Sequence, residues 1–219
     1  MSTVKDLLSD VRSRMGELAE EKIRDAEVVA WLSSGNWEIF KQLAEFMPEK
    51  VTQKTNFSIS QEFAPTTADR TLFNPFKIIR VTMATKQAKK IDIKYLDALD
   101  RNVNWLPSTD YPAYYELGYQ IGLRPAPTVA TSVDIWYIPM PTPFSVSNLT
   151  QLIAVPEVFN EAIIVYAQEK WAIRMGGDAG SYRNLYNSLV GDYFNALKNK
   201  IESNLGNVGQ KSGLTIQGG

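Results

Sequence analysis

Apolar residues recur along this chain in two rhythms, and the change of rhythm divides it. Val4, Leu7, Leu8, Val11, Met15 and Leu18 fall at offsets 0, 3, 4, 7, 11 and 14, one continuous stripe on a helix. A helix over 3–18 is predicted, capped by Ser2 or Thr3, with Asp6 well placed in the first turn. The polar joint ELAEEKIR follows. A second helix is predicted from Asp25, as N-cap, to Pro48. It carries Val29, Leu32, Ile39 or Phe40, Leu43 and Phe46 or Met47 inward. Gly35 costs this helix about 1 kcal/mol relative to alanine, and any kink is expected at Ser33-Ser34-Gly35.

From Val51 the period falls to two. Phe57, Ile59 and Phe63 mark a first strand, and 65–75 reads as loop. KIIRVTMA (77–84) is a second strand with Ile79, Val81 and Met83 on one face. KQAKK reads as a hairpin tip. Ile91 and Ile93 then open the return strand, and Tyr95–Arg101 closes as a short helical turn. Residues 111–143 are the centre of this region. Tyr114, Tyr115 and Leu117 lead into a turn at Gly118, and Ile121 and Leu123 share a face. Arg124-Pro125-Ala126-Pro127 stops that strand, because proline donates no ladder hydrogen bond. Val133, Ile135 and Tyr137 alternate before Pro139, Pro141 and Pro143 end the sheet segment, and a polar connector runs from Thr142 to Thr150.

The helical rhythm returns at Pro156, which suits a helix start. Phe159, Ala162, Ile163, Tyr166, Ala167 and Trp171 form a wide stripe that Gly176-Gly177 ends. Asp178 or Ser181 starts the next helix, with Tyr182, Leu185, Tyr186, Leu189, Tyr193, Leu197 and Ile201 as its stripe. Periodicity stops after Leu205, where LGNVGQKSGLTIQGG holds five glycines in fifteen residues, too many for a stable element. The predicted fold class is α+β. N-terminal (1–50) and C-terminal (151–205) helical pairs pack as a bundle, an antiparallel β-rich middle domain (51–150) is inserted, and a flexible tail (206–219) follows.

Composition narrows the chemistry. The 219 residues carry 23 basic and 24 acidic side chains, a net charge of −1, without the basic excess of a free-standing nucleic-acid binder. Cysteine is absent, so disulfides and thiol chemistry are excluded; histidine is absent, so Ser-His-Asp triads and imidazole metal sites are too. No apolar run approaches the roughly 20 residues of a membrane helix. MSTVKDLLSD lacks a secretory layout. A protein acting in the cytoplasm, or in something assembled there, with no membrane partner, is expected.

The candidate sites are mostly structural. Lys86, Lys89, Lys90 and Lys94 read as a solvated tip, since only Tyr95 interleaves them. Asp92, Asp97 and Asp100 read as surface acids, because no phosphate loop accompanies them. Glu161 and Glu169 lack the second pair a di-iron site needs. No catalytic, metal or cofactor site is therefore predicted. Seven aromatics lie between Trp105 and Tyr137, a density that suits core and interface; Tyr114, Tyr115, Tyr119 and Trp136 are the candidate interface rings. In the tail, Leu214, Thr215 and Ile216 form a β-prone cluster able to order against a partner's edge or groove. Fifteen extended residues reach roughly 50 Å.

Residues 3–205 resemble the head-to-tail adaptor (connector) proteins of tailed bacteriophages. LLSDVRSRMGE and RDAEVVAWLSSGNWEIFKQLAEFMP are similar to their paired opening helices, with Asn36 where their second helix carries an asparagine. PAYYELGYQIGLRPAP and VDIWYIPMPTPFS resemble their β region. VPEVFNEAIIVYAQEKWAIRMGGD with Leu185–Ile201 resembles their closing pair. TMATKQAKKIDIKYLDALD departs from the pattern. The resemblance implies a homo-oligomeric ring of twelve subunits beneath the portal at the virion neck. That ring binds portal protein and tail or nozzle proteins and passes double-stranded DNA without reading it. Leu214, Thr215 and Ile216 are then the candidate portal-docking segment. Two alternatives remain: another virion structural protein, such as a tail-completion or minor tail component, and a carboxylate-based glycosidase with two opposed acids.

Overall fold

A computed structural model describes residues 2–16, 23–64, 73–96, 106–118 and 120–210, with side chains to residue 199. The chain forms two compact units, residues 1–42 with 142–219, and residues 43–141. The class is α+β.

The first unit is helical. Helix α1 spans Val4–Met15 and opens with a capping box, in which Thr3 Oγ1 accepts from the Asp6 amide and the Asp6 carboxylate accepts from the Thr3 amide. Two more of its first amides find distant carbonyls: Val4 N–H donates to Gln151 at 3.1 Å and Lys5 N–H to Leu149 at 2.9 Å. Val4, Leu7, Leu8, Val11 and Met15 are buried as their spacing predicts. The helix stops at Gly16, whose φ of 75° suits glycine, two residues short of the predicted end; Leu18 lies outside the described residues.

Helix α2, Asp25–Phe46, is one unbroken helix through Ser33-Ser34-Gly35. Gly35 has a packing reason: a Cβ there would sit 3.1 Å from the Tyr166 ring, so the glycine lets the two backbones approach. Asp25 is the first helical residue rather than the cap, and its carboxylate is held by Arg12 instead.

Helix α3, Asn160–Met175, follows a 3-10 turn at Glu157–Phe159 and ends at left-handed Gly176. Its residues 162–169 are all buried, wider than the predicted stripe and the mark of a helix covered on every side. Asp178 caps helix α4, Ala179–Gln210, accepting from the Gly180 and Ser181 amides. Helices α1 and α4 both pack on α3. Phe159 meets the Tyr193 and Phe194 rings at 5.6 and 5.5 Å. Two details differ from expectation. Leu185 is 48% exposed while Val190 is buried, because the buried face is displaced toward the Arg183, Val190 and Phe194 edge of the predicted stripe, whose Tyr182, Tyr186, Leu189, Tyr193 and Leu197 stay buried or half-buried. The helix also continues past Leu205 to Gln210, through Gly206 and Gly209, so 206–210 belong to α4 rather than to a tail. At 1.5 Å per residue α4 is about 48 Å long and runs about 24 Å beyond its contact with Phe159.

The second unit holds two four-stranded sheets. Strands β1 (Gln53–Ile59), β8 (Thr131–Pro139), β3 (Pro75–Met83) and β4 (Lys86–Gln87) form one in that order. Strands β2 (Phe63–Ala64), β7 (Gln120–Arg124), β6 (Ala113–Leu117) and β5 (Lys89–Lys90) form the other. Ile59, Val81, Val133 and Ile135 from the first meet Ala64, Tyr114, Ile121 and Leu123 from the second in one core. Gly118 takes positive φ at the β6–β7 turn, as the sequence suggested.

Pairing is antiparallel except β5 with β6, which is parallel. Register shifts at Pro75/Lys77 and Ile78/Arg80 put extra residues into β3. The second bulge turns Ile79 outward, 42% exposed, and leaves Ile78 against the core. The turn after β3 falls at Ala84-Thr85, both with positive φ, so KQAKK is strand rather than tip. Ile93 does not lie in a return strand: Ile93–Tyr95 is a 3-10 turn capped by Asp92.

Candidate assembly surfaces

The aromatics of the second unit divide by face. Tyr114 is buried in the shared core, and that burial pushes its phenol up to about 12. Tyr115 points the other way but is also buried. Its ring lies across Gly122, where a Cβ would come within 2.0 Å of it, and Phe63 meets it edge-on at 6.3 Å. Glu62 accepts the Tyr115 hydroxyl and pairs with Arg124, whose guanidinium sits 5.8 Å from the ring. In the single chain, then, neither Tyr114 nor Tyr115 offers an open ring. Tyr119 lies outside the described residues.

Trp136 is half-buried on the outer face of its sheet. Cross-strand register places Lys54 on one side and Arg80 on the other. Their charges lie 4.9 and 5.0 Å from the indole ring, a cation–π stack across three strands. Lys54 also pairs with Asp134 at 3.0 Å, and Asn56 donates to the same carboxylate. These hydrogen bonds, Asn56 first and Lys54 second, hold the Asp134 carboxyl below its ordinary value.

The lysines singled out by the sequence are mostly matched to acids. Lys90 meets Glu116 at 2.6 Å, Lys94 meets Asp92 at 3.0 Å and Lys86 approaches Asp110 at 4.0 Å. No electropositive platform results. Asp92 also caps its 3-10 turn, so it is structural, and Asp97 and Asp100 lie outside the described residues. Leu214, Thr215 and Ile216 lie outside them as well. No group of three potential metal ligands occurs among the described residues, and no described helix is long and apolar enough to cross a membrane.

In the helical unit, the two glutamates of α3 join helices. Glu161 takes two hydrogen bonds from Arg14 of α1, at 2.5 and 2.8 Å, which hold its carboxyl below the ordinary range. Glu169, only 4% exposed, receives Arg183 of α4 at 2.8 Å. Arg183 also lies over the Tyr166 and Tyr186 rings, which pack 5.6 Å apart. Tyr186 is buried among these groups and its phenol is pushed up to about 12. Asn36, 2% exposed, keeps its amide inside α2, with Oδ1 unpaired among the described residues.

Two outer surfaces of this unit escaped the sequence reading. One is an open groove of about 550 Å3 along α1, floored by Leu8 and edged by Lys5, Ser9, Arg12, Ser13, Asp25 and Leu149. Arg12 is occupied there by Asp25 at 2.6 Å and by the Ile23 carbonyl. The other is the exposed side of α4, rich in asparagine, serine and glycine, with Leu185, Asp192, Ala196 and Lys198 also exposed on it. Its signal lay in the sequence: Asn184, Asn187, Asn195 and Asn199 are poor helix formers where lysine or glutamate is usual.

Among the described residues, none of these surfaces assembles a group of three potential metal ligands. No curated protein matches the chain. The family model described as SU10 adaptor protein matches residues 2–209. The chain therefore belongs to the SU10 adaptor protein family of phage head–tail adaptors.

Proposed function

We propose that this adaptor works as one subunit of a closed ring, in twelve copies, beneath the portal at the phage neck. The ring joins the DNA-filled head to tail or nozzle proteins and lengthens the channel through which the duplex passes. The observation that carries this reading is the family match over residues 2–209. Two features support it. Net charge is −1, so the subunit as a whole carries no basic excess that would hold DNA through its phosphates. The helical unit also keeps two different outer faces, the α1 groove and the exposed side of α4, and a closed ring needs two different complementary faces on each subunit.

The work is done by fit, without catalysis. The helical unit forms the ring wall, and Trp136 with its flanking cations faces tail-side proteins. Leu214, Thr215 and Ile216 dock on the portal. Gold-labelled subunit imaged in purified virions tests the placement: label at the head–tail junction is expected. Label further down the tail would make the chain a tail component and overturn the reading.

A further inference from the structure

The exposed side of α4 conflicts with its own secondary structure. Asn184, Ser188, Gly191 and Asn195 lie along it, all poor helix formers. Gly191 has no internal reason to be glycine, since a Cβ there meets nothing within 4 Å. Local choices that contradict the fold without a compensating contact mark functional surface. Small side chains let another helix approach closely, and sparse charge is what the centre of an interface shows. Leu185 and Asp192 run along one rim of this face, and Asp192 is the one carboxylate of α4 through residue 199.

The α1 groove has matching features. Ser9, Ser13 and Gly16 leave it shallow-walled over Leu8, and Lys5 at its end makes no ion pair within 4 Å among the described residues, though its charge acts on the neighbouring Asp6 carboxylate. We propose that the outer face of α4 seats in the α1 groove of a second copy of this chain, with Asp192 opposite Lys5. Because groove and ridge belong to different faces of one subunit, the contact is head-to-tail and propagates into a ring. The proposal rests on the ring reading above and names the seam of that ring.

The chain has no cysteine, so engineered thiols report without background. Ser188→Cys combined with Ser9→Cys, or with Ser13→Cys, is oxidised in the full-length protein at portal-bearing capsids. A ladder of covalent oligomers is expected from at least one pair, with no species beyond a dimer from any single variant. Lys5→Glu and Asp192→Lys should each lower the assembled fraction about tenfold, and the double reversal should restore it. Gly191→Leu should keep its circular dichroism and melting temperature yet fail to assemble. A wild-type ring with no ladder from either pair and no loss on charge reversal overturns this seam and leaves the ring standing. A wild-type chain that stays single at the capsids overturns both.

Discussion

In the helical unit acid–base pairs such as Arg12 with Asp25, Arg14 with Glu161 and Arg183 with Glu169 run between helices, beside pairs within one helix such as Lys41 with Glu38. In the two-sheet unit they join neighbouring strands or close a turn, as with Lys54 and Asp134, Lys90 and Glu116, and Lys94 and Asp92. The difference follows from what already sets alignment. Backbone ladders fix the register of strands, so surface charges there add little. Helices packed by apolar stripes can rotate or slide, and a directional pair at the seam selects one arrangement. Charge buried at a seam, as at Glu169, is costly to lose, whereas exposed charge is cheap whether it lies at a seam or along a ladder.

The largest test of that contrast is Arg183→Met. It leaves the buried Glu169 carboxylate with Lys170 at 3.9 Å as its remaining cation, and should cost about 2–3 kcal/mol in urea unfolding. Adding Glu169→Gln should recover part of the loss. A loss near zero would remove the seam argument. Next is Gly122→Ala in the two-sheet unit, where packing rather than charge is at stake. The new methyl must displace the Tyr115 ring from beneath Phe63 and Arg124, at about 1–3 kcal/mol; an unchanged melting temperature would show that the ring moves freely.

Arg14→Met sharpens the contrast through pH. Arg14 holds the Glu161 carboxyl below its ordinary 4.5, and a depressed folded value stabilises above the unfolded value. That contribution is lost as pH falls through the depressed one. The gap between wild type and Arg14→Met, under about 1 kcal/mol for so exposed a pair, should be complete at pH 7 and close below pH 4.5. A gap that persists in acid would assign it to packing. The smallest effect is Lys90→Met, expected within about 0.5 kcal/mol of wild type despite its 2.6 Å pair with Glu116.

Much of this architecture was legible because periodicity reports burial directly. The stripe of α1, the alternation of Val133, Ile135 and Tyr137, and the glycine stop of α3 all stand as spaced. What escaped was set by tertiary context. Ile79 faces out because a bulge inserts a residue, which no alternation count can reveal. Ala84 and Thr85 turn the chain without glycine, asparagine or aspartate to announce it. Leu185 and Val190 exchanged places because both lie near the edge of one stripe, and packing on α3 chose between them. The inter-helix partners were invisible for a simpler reason: sequence shows that Glu161 and Glu169 share a helix, but not which arginine each will meet. The outer face of α4 was readable in principle, through asparagines that lie outside its apolar stripe.

Length gives α4 a mechanical role distinct from its chemistry. The Gly176–Asp178 corner and the rings around Phe159 anchor it, and its backbone continues as helix for sixteen residues beyond Phe194. A tilt of 5° about the Phe159 contact would move the end of that segment by about 2 Å over its roughly 24 Å, enough to take a side chain out of a hydrogen bond. Small adjustments at the hairpin are thereby magnified at the far end, where the chain goes on to Leu214 and Ile216.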